Sequence, residues 1–155
     1  MTRLKIKTCL WFDGNAEEAA RFYVSVFEGR GDSAVTGVTP GPNGTALVVA
    51  FRLDGVEFVA LNGRPQSRFD EALSLSVDCQ SQEELDDLRN RLSAGGTRGR
   101  GGWLRDCYGL SWQIVPGVLP QLLGAGRGRA PGVVDALIGM TSSYSCALEA
   151  TAEAA

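Results

Sequence analysis

Histidine is absent from the 155-residue chain. That removes the commonest general base and the commonest side-chain metal ligand. A Ser-His-Asp or Cys-His machine cannot be encoded in it. Positive charge is also scarce: 15 basic residues face 18 acidic ones, a formal charge of −3. Nucleic acids and anionic membranes require clustered positive charge, so neither is an expected partner. The four cysteines (Cys9, Cys79, Cys107 and Cys146) show no CxxC spacing and no small-secreted-domain density. They read as free thiols in a reducing compartment. No apolar run reaches the length of a membrane span, and the opening MTRLKIKTCLWF lacks the apolar stretch of a signal peptide. The expectation is a soluble cytoplasmic protein.

What is present is patterned. Residues 5–12 alternate as a strand, with Ile6, Thr8, Leu10 and Phe12 on one face. Asn15, with Glu18 three residues on, predicts the start of a helix whose stripe is Ala19, Phe22, Tyr23, Val26 and Phe27. A short strand is expected over 33–38, and TPGPNG at 39–44 reads as a loop. Residues 45–53 and 56–62 flank Asp54-Gly55, a tight hairpin signal. The pattern then recurs: a strand over 72–77, a capping box from Ser81 to Glu84, and a Leu85–Leu88–Leu92 stripe. The Gly95–Gly102 segment reads as a helix stop plus connector, and residues 103–108 and 111–116 form a second hairpin.

The halves superimpose when Phe12-Asp13 is laid on Val77-Asp78, and Gly55–Leu61 on Gly109–Val115. The chain is therefore expected to be α+β: two βαβββ modules over about 5–62 and 72–116 within a domain of residues 1–120. A helical C-terminal tail, 121–155, follows. One module leaves a sheet face bare, so two sheets are expected to face each other across a cleft.

The runs CLWFDGNAEEAARFY (9–23), VALNGRPQSRFDEALSLSVDC (59–79) and SAGGTRGRGGWLRDCYGLSWQIVP (93–116) resemble the PhnB-like branch of the vicinal oxygen chelate superfamily. That superfamily also holds glyoxalase I, ring-cleaving dioxygenases and bleomycin-resistance proteins, and the branch often carries a 3-demethylubiquinone methyltransferase label. The resemblance implies the glyoxalase-like fold and a homodimer. In the superfamily's enzymes a divalent metal sits in the cleft, held mostly by His and Glu from the first and last strand of each module. The repeat carries those positions to Lys7 (or Thr8, one residue on), Ala72, Val59 and Gln113. Hard cations need several oxygens, with carboxylates among them. The expectation is accordingly no metal and no cofactor. The glycine-rich segment follows a helix and precedes a strand, the reverse of a nucleotide-cradling loop, which leaves the methyltransferase label unsupported.

Alternation points Ala72, Ser74 and Ser76 toward the cleft, and Lys7, Cys9 and Trp11 likewise. On the last strand Ser111, Gln113 and Val115 share one face. The expected ligand-binding residues are Trp11, Asn62, Phe69, Ser74, Trp103 and Gln113, an aromatic wall with neutral hydrogen-bonding groups. Cys9, with Lys7 on the same side, is a candidate nucleophile. Asp106 is either a general base or a turn-capping carboxylate. Three readings follow: a metal-free small-molecule-binding protein, a metal-independent isomerase, lyase or transferase, and a structural or regulatory homodimer whose cleft is filled.

Overall fold

The computed structural model describes residues 6–119, with Gly132 and Asp135 the only positions described beyond them. The expected helical tail over 121–155 lies outside the described residues. The chain divides between Arg68 and Phe69 into two compact units.

The first unit runs β1 (Thr8–Phe12), α1 (Ala16–Val26), β2 (Ala34–Pro40), β3 (Ala46–Leu53) and β4 (Val56–Asn62). Its sheet has the order β1-β4-β3-β2, with β1 parallel to β4 and the other pairs antiparallel. The second runs β5 (Ser74–Cys79), α2 (Gln82–Leu92), β6 (Thr97–Arg98), β7 (Trp103–Arg105) and β8 (Ser111–Pro116). Its order, β5-β8-β7-β6, repeats the first, again with the first strand parallel to the last. Each unit is thus a βαβββ module, as the internal repeat predicts.

Helical and strand periodicities build each core. In the first unit Ala16, Ala19, Ala20, Tyr23 and Val26 of α1 are buried with Leu10, Phe12, Val49, Phe51, Phe58 and Ala60 of the strands. The Phe51 ring stacks on Phe58 at 5.3 Å between centroids. In the second, Leu85, Leu88 and Leu92 of α2 have no exposed surface, and Leu104, Trp112 and Ile114 are buried. Burying each such side chain is worth roughly 1.5–3 kcal/mol, so these stripes fix which sheet face meets the helix. The Asp54-Gly55 turn takes φ of +47° and +79°, the two left-handed residues a type I′ hairpin requires.

Three details depart from the sequence reading. First, Thr8 lies beside Phe58 and Leu75 beside Trp112. Phe12 therefore corresponds to Cys79, two residues beyond Val77. An even slip leaves in and out unchanged, which is why the face assignment survives. It does move Ala72 out of the strand and puts Ser74 opposite Lys7 in the repeat. Second, Asn15 makes no side-chain cap bond. The amide oxygen of Asn62 accepts from the Ala16 N–H instead, at 2.9 Å. In α2 the capping residue is local, since Ser81 Oγ accepts from the Glu84 N–H at 3.1 Å. Third, the glycine-rich connector carries β6, two residues of edge strand without apolar alternation to announce them.

Candidate functional site

Each sheet has one face toward its helix and one away from it. In the first unit the away face is apolar across its middle. Cys9, Val59 and Ala50 lie side by side, as do Trp11, Leu61 and Val48. Cys9 is exposed and Trp11 is 48% exposed. The Trp11 indole lies against the Gly63 backbone, where a Cβ would fall 2.4 Å from its Nε1. Ion pairs close one end of this face: Lys7 Nζ to Glu57 Oε2 at 3.1 Å and Arg52 Nε to Asp32 Oδ2 at 3.1 Å. The Lys7 ammonium is thus aimed at Glu57. Cys9 makes no hydrogen bond or ion pair among the described residues.

In the second unit the away face is polar. Strand register puts Thr97 beside Arg105, Arg105 beside Ser111 and Ser111 beside Ser74. The next row runs Trp103, Gln113, Ser76. Gln113 Nε2 donates to Ser74 Oγ at 2.8 Å and ties the rows together diagonally. Trp103 is half-buried beside them. At the β6–β7 side lies a groove of about 250 Å³ lined by Glu71, Thr97, Trp103, Arg105 and Ser111 among others.

The structure brings Ser74, Trp103 and Gln113 together on this face. It does not bring all the sequence candidates there. Asn62 is spent on the backbone, accepting from Ala16 N–H and donating through Nδ2 to Ala46 O at 2.7 Å. Phe69 lies beside the β7–β8 turn, its Cβ 4.0 Å from where a Cβ on Gly109 would stand. Asp106 is buried in the β7–β8 turn. Its Oδ1 accepts from the backbone N–H groups of Tyr108 and Leu110 at 2.8 and 3.0 Å, and its Oδ2 from Trp112 Nε1 at 2.9 Å. Those contacts account for the carboxylate as turn support. The aromatic trio also separates: Trp112 is buried toward α2, Tyr108 sits in the turn, and Trp103 alone lies on the away face.

Sequence reasoning missed Arg105 and Glu71 as members of this surface, and Arg89 as an anchor. Arg105 has the parity of Trp103, so alternation from that residue would have placed it. Glu71 precedes the strand and carries no periodic signal. Arg89 is buried in the apolar stripe of α2 and donates through Nη2 to Gly99 O at 3.1 Å, holding the β6–β7 connection.

The repeated βαβββ architecture defines the class, and the comparisons agree. A FosX fosfomycin resistance protein from Listeria monocytogenes, solved with Mn(II) and sulfate, is 14% identical with a TM-score of 0.51, covering 72% of this chain and 90% of that one. A Pseudomonas aeruginosa protein is 20% identical with a TM-score of 0.55, over 71% and 95% of the two chains. At these identities the likeness shows the glyoxalase-like fold alone. A Bacillus cereus PhnB protein is 33% identical with a TM-score of 0.64, over 71% of this chain and 97% of its own. The profile of the 3-demethylubiquinone-9 3-methyltransferase family matches residues 4–115. This chain belongs to that family, the PhnB-like branch of the vicinal oxygen chelate superfamily. No curated protein matches it.

The superfamily's divalent ion does not fit the residues present. In the first unit the first- and last-strand positions hold Lys7, Cys9 and Val59, and the Glu57 carboxylate is held by Lys7. In the second they hold Ser74, Ser76 and Gln113. A lone thiol beside an engaged Lys7–Glu57 pair in the one, and neutral hydroxyl and amide oxygens in the other, are each a poor set for a divalent ion. Among the described residues, no three His, Cys, Asp or Glu side chains cluster as ligands.

Proposed function

We propose that this chain is a metal-free small-molecule-binding member of its family, and that the ligand lies on the away face of the second sheet. The observation that carries the reading is the Gln113–Ser74 hydrogen bond. On the strands where the superfamily's enzymes present metal ligands, two neutral groups satisfy one another. The Gln113 amide retains its oxygen and a second N–H, and the Ser74 hydroxyl retains its proton. Beside them Trp103 offers an aromatic surface. A half-buried aromatic with a few fixed polar groups is the composition of a small-molecule site. The reading takes the protein to be a cytoplasmic homodimer, from its thiols and the family resemblance.

The test is a side-chain NMR titration against a mixture of small aromatic and heteroaromatic compounds. The reading expects saturable shifts of the Gln113 amide and Trp103 indole resonances, lost in Trp103→Ala and weakened about tenfold in Gln113→Leu, the cost of one well-placed hydrogen bond. Binding that survives both substitutions unchanged would overturn it.

A further inference from the structure

Resting on that reading, we propose that the ligand carries an oxyanion, a carboxylate or a phosphate, held by Arg105, Ser111 and Thr97 at the groove beside Trp103. Four strands contribute to this row through register alone: Thr97, Arg105, Ser111 and Ser74 are consecutive neighbours across the sheet.

Among the described residues, two of these groups lack a good partner. Arg105 is 49% exposed at its side chain, and among the described residues its guanidinium meets only Glu71 Oε1, at 3.7 Å. That separation is too long for a hydrogen bond, so five N–H donors stand ready in a planar fork suited to an oxyanion. Ser111 is 1% exposed, lines the same groove, and its hydroxyl has no hydrogen-bond partner among the described residues. That hydroxyl keeps its proton to donate, and an oxyanion at Arg105 would accept from it. Thr97 supplies a further hydroxyl at the edge.

The neighbouring cation is otherwise engaged. Arg98 points to the opposite face, where Nε donates to Ser93 Oγ at 3.0 Å and Nη2 bonds Asn90 Oδ1. Arg98 also lines the groove, but with its guanidinium so engaged, Arg105 is the lining cation whose donors are left over among the described residues. Glu71, 74% exposed in the turn before β5, is a loose internal competitor for it. An incoming anion has to displace Glu71, and a ligand that also stacks on Trp103 gains the contact needed to do so.

The experiment titrates benzoate, phenyl phosphate and the neutral benzamide into the full chain, following the Arg105 side-chain N–H and the Ser111 amide by NMR. Benzoate or phenyl phosphate is expected to bind saturably, and the tighter of the two identifies the oxyanion. Benzamide is expected to bind at least about tenfold more weakly, since a charge-assisted hydrogen bond is worth about 1.5–3 kcal/mol. Arg105→Gln should lose the same factor and Ser111→Ala a few-fold. Glu71→Gln should gain a few-fold, a result that no damage to folding can mimic. The remote Arg21→Gln should change nothing. If benzamide binds as well as benzoate and only Trp103→Ala removes it, the oxyanion proposal falls and the pocket stands. If none of the three probes binds, both fall.

Discussion

The side chain of Asn62, the last residue of β4, accepts the N–H of Ala16, the first residue of α1, across 46 positions of sequence at 2.9 Å. The same amide donates to Ala46 O at the start of β3, so one side chain joins three elements. Removing it orphans a helix donor and a backbone acceptor together. Asn62→Ala is expected to lower unfolding free energy by about 2 kcal/mol, whereas Asn15→Ala, at the nominal cap, should cost under about 0.5 kcal/mol. Urea unfolding of both variants checks this. Equal losses would contradict it.

Asp106 is the second expectation. With three N–H groups converging on its carboxylate, Asp106→Asn must turn an NH2 toward a donor or lose a bond. A loss of about 2–3 kcal/mol in stability is expected, with ligand affinity at the Trp103 face unchanged, because Trp112 and the turn pack on the other side. Intact stability with lost affinity would instead make Asp106 part of the site.

Gly63→Ala isolates the Trp11 contact. The new methyl would meet the indole nitrogen at 2.4 Å, and the half-exposed ring is free to move aside. Stability should fall by under about 1 kcal/mol while the Trp11 emission shifts. A large unfolding penalty would mean that the ring is locked.

Much of this fold was legible because its period is strong. Alternation in 45–53, 56–62 and 111–116, together with the two leucine or aromatic stripes, named both modules and both helix faces. Sequence similarity alone aligns the repeat two residues early, since Val77 and Phe12 are both apolar. The parity of strands forgives an even error, so Ser74 and Gln113 still share the away face, while Ala72 falls before the strand. Beyond the reach of local pattern lay whatever depends on partners far along the chain. A cap supplied from Asn62, a two-residue strand at Thr97–Arg98, and a groove assembled from Glu71, Arg105 and Ser111 all belong to tertiary register. The Gly95–Gly102 run looked like a connector because glycine hides a short edge strand from any hydrophobic count.

The absence of histidine fits the proposal of a family member whose site works through neutral groups and Arg105 without a metal. Native mass spectrometry of the purified protein, combined with elemental analysis, tests it most directly. Zn, Mn, Fe and Ni are each expected far below one per chain, with a Tm unmoved by EDTA or by added Mn(II). One tightly held divalent ion per chain, whose removal lowers the Tm, would contradict it.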